Sequence, residues 1–349
     1  MNYKLTRIAP TPSGFLHLGN VFSFAITAAI ARRSSAEILL RIDDLDRERV
    51  QREYVEDIFD TLRFMAIPWD RGPRGYDEFG REYSQVYRLP LYRAALERLR
   101  EAGAVFGCSC SRAEVLRASR EGVYPGTCRE RGLLLDGGEI SWRLRAGAGG
   151  GWPEGGADTG AVGSEGGASS AAEVLRVKVY PEGVVEAGLP PEMRDFVVRK
   201  KDGFPAYQLS SVVDDLHYGV DLIVRGQDLW ASTLAQLYLS SALDAAAFRE
   251  IRFYHHPLLV TGAGEKLSKS AGATSIRYLR QQGLQAADIY ALIAREVVAA
   301  GLAGDAAALG RAGDAVAGRT GDAMALERAA GVRDWAGLAG LVLGQRDMA

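Results

Sequence analysis

The run Pro10-Thr11-Pro12-Ser13-Gly14-Phe15-Leu16-His17-Leu18-Gly19-Asn20 separates a strand-like segment, Lys4 to Ala9, from a mostly apolar helical one, Val21 to Arg33. Strand, Pro- and Gly-rich loop and helix in that order predict the opening unit of an α/β sheet. Glycine lets a backbone approach a ligand closely. The N-terminus of the following helix offers unpaired N–H groups and a positive dipole end to phosphate. His17, Gly19 and Asn20 stand at that helix mouth and are candidate nucleotide contacts. His17 can donate to a phosphate oxygen as charge builds there in a transition state. The bland alternative is an ordinary strand–loop–helix turn with a capping serine.

A second stretch weighs against that alternative. Lys266-Leu267-Ser268-Lys269-Ser270 follows the turn Thr261-Gly262-Ala263-Gly264-Glu265 and the apolar, strand-like run Pro257 to Val260. Two lysines three apart, with serine between them, suit a mobile loop that neutralises triphosphate charge. Lys266, Ser268 and Lys269 are therefore candidate ATP ligands, and Lys269 joins His17 as a candidate catalytic residue. Most Lys-Ser stretches are solvated basic loops, but this one follows a nucleotide-binding half in chain order.

The 349 residues are 47% hydrophobic and 25% charged, enough for a sizeable core and more than one domain. The net charge of −2 provides no global basic field, so any RNA contact must use local patches. No apolar run approaches the length of a membrane span, and Met1 to Ala9 lacks a secretory apolar core. Three cysteines do not make a disulfide framework, and the compartment expected is the cytoplasm.

Further strands are expected at 37–42, 196–199, 221–225 and 251–254, and helices at 48–65, 83–102 and 227–243. Alternating strands and helices imply a parallel sheet of Rossmann type, interrupted by an insertion. The expected division is a first catalytic half (1–102), an insertion (103–195) and a second catalytic half with the lysine loop (196–272). A small helical region (273–349) ends the chain. Within the insertion, 146–172 is rich in Gly, Ala and Ser without periodicity and reads as a disordered loop.

All three cysteines lie close together: Cys108-Ser109-Cys110, then Tyr124-Pro125-Gly126-Thr127-Cys128. Zinc takes four ligands in a tetrahedron, and Cys108, Cys110 and Cys128 supply three. Tyr124, water or a remote carboxylate serves as the fourth on physical grounds. Such a site is closed and structural, and chelators would remove its stability. Three small buried thiols without metal are the alternative. Arg112, Arg117, Arg120, Arg129 and Arg131 surround the cluster, either as phosphate contacts or as a solvated face.

In order and content, several segments resemble the glutamyl branch of the class I aminoacyl-tRNA synthetases. They are Arg7 to Gly14, Arg41-Ile42-Asp43-Asp44-Leu45-Asp46, Trp69-Asp70-Arg71-Gly72-Pro73, Tyr207-Gln208-Leu209, Val212-Val213-Asp214-Asp215 and Ile223-Val224-Arg225-Gly226. The likeness runs from about Tyr3 to Ser270, excluding the Gly-rich insert. It implies that Arg7, Ile8, Ala9, Pro10 and Thr11 form a glutamate-contacting strand end, joined by Asp43, Tyr207 and Arg225. Asp43 stands where that branch usually carries a glutamate facing the substrate ammonium, one methylene longer. Lys269 matches an ATP-contacting lysine. Charge chemistry agrees: Arg7 and Arg225 can clamp carboxylates through paired hydrogen bonds, and a carboxylate can hold an ammonium. Alternatively these arginines pair with Asp44, Asp46 or Asp228 in a surface network.

The chain runs on from Ser270 only to Ala349, where longer members continue into a large helical anticodon-binding region. The spacing of Tyr124 and Cys128 also resembles the short glutamyl-Q group. That resemblance implies a monomer with structural Zn²⁺, and Mg²⁺ bound with ATP. It further implies glutamate transfer to queuosine in the anticodon of tRNA(Asp). A truncated synthetase charging tRNA(Glu), a non-catalytic RNA- or glutamate-binding module, and transfer to a protein or small amine are the competing readings.

Overall fold

Strand β1 (Leu5–Ile8) pairs in parallel with β2 (Glu37–Leu40), Leu5 opposite Glu37 and Ile8 opposite Leu40. Helix α1 (Leu18–Ser34) connects them and carries no charge before Arg32, as suits a helix buried on nearly every side. The computed structural model describes residues 2–119, 122–146, 174–259, 275–303 and 323–343. Helices α2 (Arg52–Phe64), α3 (Tyr76–Glu78) and α4 (Leu89–Glu101) follow β2. The helix expected from residue 83 is shortened at its start, because Gln85–Arg88 forms a 3₁₀ turn and Pro90 begins α4.

Next come β3 (Val105–Cys108), α5 (Arg112–Ala118), β4 (Ser141–Leu144), the hairpin of β5 (Val174–Val179) and β6 (Val184–Gly188), and β7 (Val197–Arg199). They are followed by α6 (Tyr207–Tyr218), β8 (Leu222–Gly226), α7 (Trp230–Ala242), α8 (Ala246–Arg249) and β9 (Arg252–His256). β3, β4 and β7 form an antiparallel sheet, while the order β6-β5-β9-β8 makes a second sheet in which β5, β9 and β8 are parallel. The two sheets interleave across the division expected from sequence. β5 lies before residue 196 yet pairs with β9, and β7 lies after it yet pairs with β4. β1 runs beside β8: Asp221 N donates to Leu5 O, and the Asp221 carboxylate accepts from the backbone N–H groups of Lys4 and Leu5. Pro257–Leu259, expected to be strand-like, continues no ladder; β9 ends at His256, where proline removes the next donor.

The central strands are apolar on both faces and feed two cores. Ile8, Ile38, Leu40, Leu222, Val224 and Tyr254 face one core, with α1 and α12 (Trp335–Leu343). Leu5, Leu39, Ile223 and Phe253 face the other, with residues of α4, α6 and α7. α9 (Ile276–Gln281), α10 (Ala286–Ala299) and α11 (Ala323–Ala330) complete the helical end, and α10 and α12 pack on α1. Apart from Ala146, the Gly-rich segment 146–172 lies outside the described residues, as does the lysine stretch 266–270. Among the described residues no helix is long and apolar enough to cross a membrane.

Candidate active site and thiolate centre

The loop after β1 is fastened from below. Leu16 N donates to the Asp57 carboxylate at 2.9 Å, and Phe15 meets the ring of Tyr54 edge-on. Burial raises the Asp57 carboxyl above its usual range against that hydrogen bond. His17 caps α1: its Nδ1 accepts from Gly19 N at 3.1 Å, while Asn20 Oδ1 accepts from His17 N at 3.0 Å. An Nδ1 that accepts leaves the proton of the neutral ring on Nε2, so the imidazole keeps a donor. A Cβ at position 19 would meet His17 Cε1 at 3.0 Å, so a side chain there would press on the ring. A cavity of about 240 Å³ opens at this helix mouth, lined by His17, Gly19, Asn20, Gly226, Asp228 and His256 among others. Beyond the undescribed segment the chain re-enters at Ser275, bridged to His17, and Ile276 N donates to Leu16 O at 2.8 Å.

Behind the strand ends lies a buried set of charges. Arg41 grips Asp43 with two prongs, Nε to Oδ1 at 2.7 Å and Nη2 to Oδ2 at 3.0 Å, and its Nη1 donates to Asp215 Oδ1 at 2.7 Å. Arg7 donates from Nε to the same Asp215 oxygen at 3.1 Å and from Nη1 to Val224 O at 3.2 Å. Beneath them Asp214 takes Nε and Nη2 of Arg88 at 2.8 and 3.1 Å, the Tyr92 hydroxyl at 2.6 Å and Gln85 Nε2 at 2.9 Å. Burial raises the Asp43 carboxyl above its usual range, and the Arg41 charge only partly offsets it. Burial likewise opposes the charge on Arg41, but Asp43, Asp215 and Asp214 together hold its proton more tightly than usual.

Arg225, at the end of β8, is treated differently. It is 4% exposed, and its hydrogen bonds run to Gln236 Oε1 at 2.9 Å and Thr233 Oγ1 at 2.6 Å, both neutral. Tyr207, the first residue of α6 and exposed, interacts with it through its hydroxyl. Burial is the main force on the guanidinium, Arg7 adds repulsion, and together they push it down to about 10 despite Tyr207 and Asp215. It remains protonated at neutral pH, a buried cation whose hydrogen bonds reach no carboxylate among the described residues.

The structure thus gathers Arg7 and Asp43 through Arg41 and Asp215, and Arg225 with Tyr207 near Arg7, next to the cleft at the mouth of α1, whose wall includes Gly226, the residue after Arg225. Ile8 differs: its side chain is buried in the core, and only its backbone, accepting from Arg41 N at 2.9 Å, faces this cluster. Pro10 O accepts from Asp43 N at 3.0 Å, and Thr11 is exposed, with Ala9 partly so. Among the described residues, Arg7 pairs with Asp215 rather than with Asp44 or Asp46. Asp44 instead binds Arg47, Ser84 and Gln85, and Asp46 reaches Arg49. Arg41, Asp214, Asp215, Thr233, Gln236 and His255 had been given no role. The available signal is two adjacent acids, Asp214 and Asp215, directly after the apolar pair Val212-Val213. Lys266, Ser268 and Lys269 lie outside the described residues.

The cysteine cluster forms at the end of β3, on the antiparallel sheet. The sulfurs of Cys108, Cys110 and Cys128 lie within 4.8 Å of one another, with Cys110 and Cys128 at 3.6 Å. Three sulfurs on a tetrahedral ion with bonds of about 2.3 Å stand roughly 3.8 Å apart, so this donor set fits a metal ion. The Tyr124 hydroxyl lies 3.5 Å from Cys108 Sγ and accepts from Cys128 N at 2.8 Å. Arg131 donates to Cys128 Sγ at 3.7 Å, and the Arg143 guanidinium stacks over the Tyr124 ring at 3.7 Å. Of the neighbouring arginines, Arg129 turns inward to Asp195 and Ala146 O, whereas Arg112 and Arg117 are exposed. Arg120 lies outside the described residues. Cys108→Ser should lower bound metal from about one ion per chain to a small fraction of that and lower the melting temperature. Metal analysis and thermal unfolding, with and without chelator, check this; unchanged metal content refutes the site.

With the geometry in place, the class follows. Residues 5–131 and 177–302 match the model of the class I tRNA synthetases (E and Q), catalytic domain, and the chain belongs to that family. A glutamyl-Q tRNA(Asp) synthetase of Nitratidesulfovibrio vulgaris is 35% identical over 304 residues, 82% of this chain and 84% of that protein. One from Rhodobacter capsulatus is 33% identical over 83% of this chain and 99% of its own length. A glutamate–tRNA ligase 2 of Nitrosococcus oceani, 32% identical, is covered over 56% of its length. Among solved structures, a glutamate tRNA ligase from Elizabethkingia meningosepticum superposes with a TM-score of 0.61. At 19% identity it covers 88% of this chain and 62% of that one, and it shares the fold.

Proposed function

We propose that this chain activates L-glutamate with ATP to glutamyl-adenylate and transfers the glutamyl group to queuosine in the anticodon of tRNA(Asp). The observation that carries the glutamate assignment is Arg225: a buried cation beside the cleft, hydrogen-bonded only to neutral groups and placed to receive an acidic side chain. Such a charge is costly to bury and is stabilised when an anion arrives. Glutamyl-Q tRNA(Asp) synthetases at 35% and 33% identity support queuosine over a tRNA 3′ end.

In the first step an oxygen of the glutamate α-carboxylate attacks the α-phosphorus of ATP, and pyrophosphate leaves. His17 Nε2–H, at the mouth of α1, donates to phosphate, and the helix N-terminus adds its dipole. Lys269 and Lys266 are assigned to the departing phosphates; the return of the chain beside His17 at Ser275 supports that assignment. Mg²⁺ bound with the nucleotide would supply further neutralisation of phosphate charge. In the second step a hydroxyl of the queuosine cyclopentenediol attacks the adenylate carbonyl and AMP leaves, a reaction that needs mainly proximity and orientation. Zinc is the ion proposed for Cys108, Cys110 and Cys128, with Tyr124 as fourth ligand and a structural role. The exposed Arg112 and Arg117 are proposed to meet RNA phosphates, and the reaction belongs to the cytoplasm, where tRNA is found.

ATP–pyrophosphate exchange with glutamate, with and without tRNA, tests the reading. Exchange without tRNA, followed by alkali-labile glutamate on queuosine-containing tRNA(Asp), is the expected result. Exchange only with tRNA(Glu) would replace it by conventional charging, and no exchange in either condition would leave a binding module.

A further inference from the structure

The other buried arginines around the cleft are matched to carboxylates: Arg7 to Asp215, Arg41 to Asp43 and Asp215, Arg88 to Asp214. Arg225 sits among the same elements and is given amide and hydroxyl instead. Gln236 lies in α7 between Leu234, Ala235, Leu237, Tyr238 and Leu239, all buried, and is itself 0% exposed. A guanidinium only donates, so the Gln236 oxygen is the atom that must face Arg225 Nη1. Among the described residues, its Nε2 and Arg225 Nε have no hydrogen-bond partner. Leaving these donors unmatched is a cost that the fold accepts here.

The second prong is also neutral. Thr233 can give its single proton to Leu229 O at 3.1 Å, leaving its lone pairs for Arg225 Nη2 at 2.6 Å and for an N–H on His255 Nε2 at 2.7 Å. The His255 ring is stacked on Phe253 and touched edge-on by Trp230, and Phe253 also underlies the Arg225 guanidinium. Burial and the adjacent arginine charges keep His255 unprotonated at neutral pH. The cradle around Arg225 therefore fixes the orientation of its fork without supplying a negative charge.

We propose that Gln236 is the specificity-determining positioning residue of this site, a neutral anchor that orients Arg225 while reserving its charge for an acidic substrate side chain. Thr233 and His255 complete the neutral cradle. This inference rests on the reading of glutamate as substrate. A glutamate at position 236 has nearly the same shape and would close an internal ion pair on Nη1, like the pair of Arg88 with Asp214. The incoming carboxylate would then meet a neutralised fork, and glutamine would be disfavoured far less.

The test is pyrophosphate exchange with glutamate and with glutamine as separate substrates, on the full chain, for wild type, Gln236→Glu and Gln236→Met. Gln236→Glu is expected to raise the glutamate KM about a hundredfold, leave the ATP KM unchanged, and narrow the glutamate-to-glutamine preference by a similar factor. Gln236→Met removes the anchor but adds no charge; it should weaken glutamate binding while the preference over glutamine persists. A glutamate KM for Gln236→Glu within threefold of wild type overturns the proposal. So does a raised KM with undiminished preference, or a loss of preference in Gln236→Met as large as in Gln236→Glu. If Gln236→Glu does not fold, the preference measured with Gln236→Met decides alone. Absence of wild-type exchange with glutamate overturns the substrate reading itself, separately from the role of Gln236.

Discussion

Arg225→Leu should lower kcat/KM for glutamate activation by about a thousandfold, with the ATP KM within threefold of wild type and the melting temperature equal to or above it. The first effect follows from removing the charge to which the substrate carboxylate is paired in a dry site, where such a loss is worth about 2–5 kcal/mol. The second runs against the usual expectation for a buried residue. Arg225 is 4% exposed and has no carboxylate bonded to it, so the folded chain carries its desolvation cost without an ionic partner. Leucine loses the hydrogen bonds to Gln236 and Thr233 and the Tyr207 interaction, and leaves Gln236 Oε1 and one lone pair of Thr233 unmatched, but it also removes the buried charge and packs beside Phe253. The measurements are exchange kinetics over a range of glutamate concentrations and thermal unfolding in the absence of ligands. A catalytic loss below tenfold would remove Arg225 from the substrate site. A fall of many degrees in melting temperature would show that its role is structural.

The fate of Arg225 also marks where the sequence was legible. The strand–loop–helix opening could be read because the Pro- and Gly-rich run breaks two apolar periodicities, and the ends of β1 and α1 fall close to the expected bounds. That Arg7, Asp43, Tyr207 and Arg225 lie close together could be reached only through the resemblance, since nothing local ties positions about two hundred apart. The partners were hidden for the same reason. Arg41 lies two residues from Asp43, so their pairing was within sight, but its bond to Asp215 crosses 174 positions. The interleaving of the sheets was harder still. β5 follows the Gly-rich segment and β7 has only three residues, so neither carries a pattern from which to choose between two sheets. Asp43 is the instructive case. The sequence assigns it to a substrate ammonium, and the structure shows both of its oxygens held by Arg41, so any ammonium it receives is shared with that grip.

Asp214→Ala should show the opposite balance to Arg225→Leu, lowering the melting temperature by on the order of 10 °C. Asp214 is wholly buried and accepts four hydrogen bonds: two from Arg88, one from Tyr92 and one from Gln85. It thereby joins α6 to the 3₁₀ turn and to α4, and its neighbour Asp215 holds Arg7 and Arg41 in place. Removing the carboxylate leaves Arg88 charged, 5% exposed and without its acid, a change that costs about 3–5 kcal/mol. The pH dependence gives a second readout. Burial alone raises the Asp214 carboxyl, but Arg88 and Arg41 more than offset this and leave it below the ordinary carboxylate range. A depressed acid contributes stability that is complete above the unfolded value, about pH 4, and is lost as pH falls through the folded value. Wild type should therefore lose stability on acidification through that window, and Asp214→Asn, which keeps the shape but cannot ionise, should lose measurably less. Thermal unfolding between pH 3 and pH 7 checks both. A variant that melts within about 2 °C of wild type at neutral pH, with the same acid slope, would mean that Arg88 finds other partners and that this cluster does not hold the cleft together.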